Sequence, residues 1–301
     1  MCDNHDVTLL AEQDADELAI KDLENQLKNQ SGDVARITKA KINELKTQIK
    51  AEKAMKSVLD KSRTRFLKTL ETAVQASDPL TILSLPREQL IDFIIRGGFD
   101  VAIDEFIEQA DLISQAVERT TRIVQPDLGL TPIQQQLDIM QTSAVETLFD
   151  DVIIPNVASG VRESLVAMTI DVPMTQAISS LSQKMQSAAG RQLTEVNTKL
   201  SMFGRSVTAA IAEEAGLRFY LYTGPIDGVT RDFCRPLVDK VVSESQMKKL
   251  NNRQGLPVKT AGGGYNCRHS WSPVSEGFVK AAGLDRAKTK DISKANAGAK
   301  R

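Results

Sequence analysis

The sequence predicts a mainly α protein, with a long amino-terminal helix or hairpin and a helical bundle, ending in a small carboxy-terminal α+β module. Three observations carry that expectation. Residues 17–75 contain no proline and one glycine, Gly32, with apolar residues at helical spacing. Residues 80–216 are a series of proline-led amphipathic segments with short connections. After Gly216 the grammar changes: all three tyrosines, the only tryptophan, two of the three cysteines and one of the two histidines lie between Phe219 and Ser275. The expected division is a charged helical or coiled-coil arm over 1–78, a bundle over 79–216, the α+β module over 217–279 and a basic flexible tail over 280–301.

In the arm, Ile42, Leu45 and Ile49 are spaced by three and four, and Leu59, Phe66 and Leu70 continue the seven-residue register. Glu52, Lys56 and Arg63 fill the intermediate seam positions. So diluted a seam is expected to pack on a partner or on its own neighbour, and self-association through this helix is one use of it. Ser31-Gly32-Asp33 is the expected break. Ser77-Asp78-Pro79 ends the helix, because proline removes a donor and restricts the residue before it.

In the bundle, Pro86 fits a first helical turn, and Leu90, Ile91, Ile94 and Ile95 form the face of a short helix ending at Gly97-Gly98. Phe99, Ile103, Phe106, Ile107, Ala110 and Ile113 mark the next helix. Thr131-Pro132 starts another, Pro155 interrupts or kinks its successor, and Asp171 with Pro173 opens a helix with a junction at Gly190, reaching about Ala215. These stripes are ordinary helical core.

In the module, Arg218 to Tyr222 has the aromatic alternation of a strand, and Thr223 to Gly228 is turn material. Thr230 to Leu237 is a short helix or turn. Ser243, with Gln246 three residues on, forms a capping box for a helix over Glu244–Asn252. Gly262-Gly263-Gly264 leads into an expected strand over Tyr265–Trp271.

The length of 301 residues accommodates two domains, and a formal net charge of -1 argues against a uniformly basic nucleic-acid binder. The ends differ in sign. Asp3, Asp6, Glu12, Asp14, Asp16 and Glu17 precede any Lys or Arg, whereas residues 280–301 carry seven Lys and Arg against two Asp. Lys288, Lys290, Lys294, Lys300 and Arg301 are the candidate nucleic-acid contacts of that tail. Three cysteines, one of them Cys2, are no disulfide framework. With no leader pattern and no apolar run near the ~20 residues that span a bilayer, the chain is expected to be soluble and made in a cytoplasm, without membrane association.

Cys234, Cys267 and His269 invite a metal reading. Structural zinc sites take four ligands, however, and neither arm is a CxxC knuckle; a fourth ligand would have to be Asp227 or Asp232. No metal or other cofactor is therefore expected, with these three as weak candidates. The H-x-E and P-C-x-x-C pair of a zinc deaminase is missing. Cys267 and His269, two apart on a strand, would share a face and could form a thiol–imidazole pair, but no nucleophile motif surrounds them. The triple glycine lacks the following Lys-[Ser/Thr] of a phosphate loop. The favoured reading is a structural knot: Asp227 and Arg231 frame the first turn, Arg268 and His269 donate from the second arm, and Cys234 and Cys267 approach as thiols or as a disulfide.

The two arms, Y-T-G-P-x-D-x-x-T-R-x-F-C and G-G-G-Y-N-C-R-H-S-W-x-P, resemble the carboxy-terminal module of phage head-morphogenesis proteins, the Mu protein F-like minor capsid proteins of tailed phages. The resemblance covers Tyr220 to Pro273, and the residues that carry it are Asp227, Thr230, Arg231, Cys234, Asn266, Cys267, Arg268 and His269. It implies a virion protein of the head, made in the host bacterial cytoplasm, associated with the portal region and taking portal or major capsid protein as partner, with no established catalytic chemistry. The long charged helix departs from typical members and leaves portal, capsid and scaffold all open as its contact. Two rivals stand beside it: a zinc- or thiol-dependent enzyme, and a DNA-associated internal or ejected virion protein using the basic tail.

Overall fold

The computed structural model describes residues 17–28, 30, 32–124, 126 and 130–299. The acidic residues before Glu17, Cys2, Lys300 and Arg301 lie outside that range. The fold is mainly helical, with one three-stranded antiparallel sheet near the carboxy terminus. Among the described residues no helix is long and apolar enough to cross a membrane.

Two compact units divide the chain, and each is discontinuous in sequence. One comprises Met1–Lys50, Ala110–Met140 and Asn197–Arg301; the other comprises Ala51–Gln109 and Gln141–Val196. This replaces the expected series of arm, bundle and module. The reason is helix length. Helix α1 covers 17–28, and α2 (Gly32–Ala76) has 45 residues, about 68 Å at 1.5 Å per residue, more than one small core can cover. Helices α5 (Asp100–Val124) and α9 (Ala189–Glu214) likewise serve both units.

The second unit is all helical. Asp78 caps α3 (Pro79–Leu83), accepting from the Leu80 N–H at 2.8 Å. Pro86 is the cap residue of α4 (Arg87–Ile94) instead of lying in its first turn. The helix ends at Gly97-Gly98 as expected: Gly98 leaves helical geometry, at φ 162° and ψ -13°, and the chain kinks there into α5. Both glycines are there for close approach. A Cβ on Gly98 would stand 2.7 Å from the Ser62 carbonyl oxygen, and one on Gly97 2.9 Å from the Phe66 ring. Phe66 is fully buried between Phe93 and Phe99. Helix α6 (Gln134–Val145) runs through a π segment, Glu146–Ile153, into α7 (Ile154–Thr169), so Pro155, which has no N–H to donate, follows directly on a departure from α geometry. Helix α8 (Met174–Ser187) packs on α7 where Gly160 faces Leu181, and it meets α9 at Ala188, two residues before the expected junction.

In the first unit, Gly32 adopts φ +59°, a conformation that suits glycine, and the chain reverses there. Ala19 and Leu23 of α1 pack on Ile42 and Leu45 of α2, so the arm's start is a hairpin. The sheet has β1 (Phe219–Thr223) between β2 (Val241–Ser243) and β3 (Ser270–Val274), with Tyr222 opposite Trp271 and Tyr220 opposite Val242. Strand alternation then divides the side chains. Tyr220, Tyr222, Val242 and Trp271 enter one core with Phe233, Leu237 and both cysteines. Leu221, Val241 and Val274 enter another, closed by Ile37 of α2 and Val279 of α12 (Glu276–Ala281). Ser243 and Gln246 form the expected capping box, on a helix, α10, that spans only Glu244–Met247. Helix α11 (Val258–Ala261) follows.

Two local expectations change. Tyr265 to His269 is not strand: Gly262, Gly264 and Asn266 all have positive φ, which coils the chain, and β3 begins only at Ser270. The tail is also not a flexible extension. Residues 289–298 form α13 (Thr289–Gly298), and Ala287, Ile292, Ala295 and Ala299 are buried in the module core. Asp291 ties it down, accepting from the Lys288 N–H at 2.8 Å and pairing with Lys240 at 2.8 Å.

Candidate functional site

The turn after β1 and the coil before β3 bring the two signature arms together. Asp227 is the hub of the first. Thr230 donates its hydroxyl proton to Asp227 Oδ1 and also lies 2.9 Å from the Pro225 carbonyl, while the Asp227 N–H donates back to the Thr230 oxygen at 2.9 Å. The second arm answers with Arg268. Its guanidinium donates to Asp227 Oδ1 at 2.9 Å and lies 2.7 Å from Oδ2, with both side chains largely buried. Burial works against ionisation of Asp227, but the Thr230 hydroxyl and the Arg268 charge outweigh it and hold the carboxyl below its ordinary value. Arg231, expected to partner the first turn, instead donates to the Tyr265 carbonyl at 2.5 Å. Arg235 supplies the donor to the Asp227 carbonyl at 2.7 Å. Asn266 contributes its backbone: its φ of +51° turns the coil, and its N–H donates to Thr198 of α9 at 3.3 Å.

Beneath this ion pair lies a sulfur cluster. Cys234 and Cys267 are buried free thiols with sulfurs 3.9 Å apart. The Gly263 N–H donates to Cys267 Sγ at 3.2 Å, and His269 Nδ1 stands 3.8 Å from the same sulfur. Tyr222 Oη lies 3.3 Å from Cys234 Sγ and 3.8 Å from Cys267 Sγ. Burial pushes the Tyr222 phenol well up, so it remains a proton donor. A hydrogen bond links the Cys234 and Cys267 sulfurs, and His269 and Arg205 stand nearby. Against the effect of burial these hold Cys267 well below the usual thiol range, while the same hydrogen bond and burial push Cys234 up.

The imidazole of His269 stacks on the Tyr222 ring, with centroids 5.3 Å apart and planes 14° from parallel, and Trp271 packs on the other side of the arrangement at 4.1 Å from Tyr222. Trp271 anchors itself by donating to the Val258 carbonyl at 3.1 Å. Glycine is required beside these groups. A Cβ on Gly263 would stand 2.6 Å from Cys234 Sγ, and one on Gly224 would stand 2.7 Å from His269 Cγ. Gly262 and Gly263 thus make room for sulfur, and Gly264 for the Gln254 side chain.

Several residues of the site were missed by sequence reasoning. Arg205 of α9 is buried and forks into the coil, donating to the carbonyls of His269 at 3.0 Å, Thr260 at 3.2 Å and Cys267. Its signal was present: it is the lone charge in the run Met202 to Ala212. Asp22 of α1 accepts from the Ile226 N–H at 2.7 Å and so holds the first turn; nothing local marks it. Of the predicted basic contacts, Lys288, Lys290 and Lys294 are exposed on or beside α13, apart from this cluster's members.

The arrangement can fix two loops by charge and hydrogen bonding, and it gathers two buried sulfurs and an imidazole. Cys267 and His269 are each only 3 % exposed. Comparison with protein-family models, with curated proteins and with solved structures gives no match to this chain.

Proposed function

We propose that this chain is a minor head protein of a tailed phage, with a structural or assembly role at the portal region of the head. The observation that carries the reading is the meeting of the two signature arms. Asp227 and Arg268, 41 residues apart, form one ion pair, and Cys234 and Cys267 share one cluster. Residues that were a pattern in sequence are neighbours in space, as expected if the motif pair specifies a single module. The helices supply the docking surfaces: portal or major capsid protein is the proposed partner, and the amino-terminal hairpin is the proposed site of any self-association. The exposed lysines of α13 are the proposed contact with packaged DNA. The chain would be made in the host bacterial cytoplasm and end in the virion head.

A thiol-dependent enzyme is the reading that the Cys267–His269 pair favours, at 3.8 Å. Their burial weighs against it, because a nucleophile must reach its substrate. The test of the main reading is incorporation into procapsids assembled with and without portal. The chain is expected to co-sediment with portal-containing procapsids and to be lost from portal-free ones. Undiminished incorporation without portal would remove the portal contact.

A further inference from the structure

We infer that Cys234, Cys267 and His269 form a structural binding site for a thiophilic divalent metal ion, zinc being the ion whose geometry they match. The candidate ligand atoms all lie within 4.8 Å of one another. With bonds of about 2.3 Å to sulfur and about 2.0 Å to nitrogen, neighbouring ligands around tetrahedral zinc are roughly 3.5–3.8 Å apart. The sulfur–sulfur separation is 3.9 Å and the Cys267 Sγ–His269 Nδ1 separation is 3.8 Å. Tyr222 Oη, at 3.3 and 3.8 Å from the two sulfurs, is the oxygen donor at hand for a fourth position. The sequence count stopped at three ligands because it admitted only soft side chains and carboxylates; the further donor is a phenol from β1.

The surroundings suit a metal thiolate. The Gly263 N–H already points at Cys267 Sγ, and the coil around it is kept open by glycines whose side chains would strike the sulfurs. His269 Nε2 is buried and has no hydrogen-bond partner among the described residues. It belongs to a ring that borders a cavity of about 50 Å³ shared with Glu44, whose Oε1 also lacks a partner there. A proton on Nε2 leaves the Nδ1 lone pair free to bind metal. Binding is balanced in charge: a divalent ion takes two thiolates, and the protons the two thiols carried are released to solvent. Two thiolates, an imidazole and a phenol in a buried core make this a structural site, whose binding energy adds to folding.

The test uses the full-length protein, purified under reducing conditions and stripped with chelator. Cobalt(II) serves as a spectroscopic stand-in for zinc. We expect one equivalent to give sulfur-to-cobalt charge transfer and the visible ligand-field bands of a tetrahedral ion, with zinc displacing it and raising the melting temperature. Cys2→Ser should leave those bands intact, and Cys234→Ser or Cys267→Ser should abolish them. Folding of each variant is checked by circular dichroism, and the wild-type titration decides the matter even if a variant fails to fold. Folded, reduced wild-type protein that gives no thiolate–cobalt band overturns the inference, as does a band that survives Cys234→Ser but disappears in Cys2→Ser. Neither result bears on association with procapsids, so this inference and the proposed function stand or fall separately.

Discussion

Asp227 concentrates the polar energetics of the module in one carboxylate. Its folded-state value lies below the ordinary one, so the unfolded chain takes up its proton first as pH falls. Its contribution is complete above the unfolded value of about 4 and is lost as pH drops through the lower folded value. Asp227→Asn should therefore cost about 2 kcal/mol at neutral pH, the scale of a charge-assisted hydrogen bond. The penalty should shrink in acid. Urea denaturation at several pH values checks this; a constant penalty from neutral pH down to about pH 3 would show that the ion pair contributes nothing specific. The identity of Asp227 as a special residue was legible in the sequence. Its partner was not: Arg231 is nearer in the chain, and only the coiling at Gly262, Gly264 and Asn266 brings Arg268 to it. Cys267 and His269 do meet as the alternation argument required, but on that coil and not on a strand.

Helix α13 shows how composition misleads at the level of an element. Residues 280–301 read as a polar, basic tail because their apolar residues are few and mostly small. Yet Ile292, Ala295 and Ala299 all fall on one side and are buried against the module, while Lys290 and Lys294 remain outside. Small apolar residues at helical spacing give a weak pattern, and the core they complete is supplied by residues some 50 positions earlier. The long proline-free helix and the Ser243 capping box were legible because their determinants are local. Ile292→Ala should destabilise the protein by about 2–4 kcal/mol, as for other buried aliphatic truncations. Chemical denaturation reads this directly, and an effect within about 0.5 kcal/mol, typical of a surface site, would return α13 to the status of a loose tail.

For the whole chain, the consequence is that the signature module is not self-contained. Arg205, from α9, supplies three charge-assisted hydrogen bonds to the carbonyls of Thr260, Cys267 and His269. Asp22 and Thr198 hold the two turns from outside the module, and Ile37 closes one face of the sheet. All four lie upstream of residue 217 and in the same compact unit as the module. Hydrogen bonds to a charged group are worth about 1.5–3 kcal/mol each, against a total stability of 5–15 kcal/mol typical of whole proteins. A fragment of residues 217–301 loses the Arg205 fork and the Ile37 contact together, and it is small enough to have little reserve. It should therefore lack fixed packing around Trp271 and show no near-ultraviolet circular dichroism, whereas the full chain shows both that signal and a cooperative melt. A fragment that melts cooperatively with the full-chain Trp271 signal would mean that the helices add only docking surfaces. Loss of the signal would mean that they also build the site, so that any partner pulling on α9 or the amino-terminal hairpin acts directly on the coil that carries Cys267 and His269.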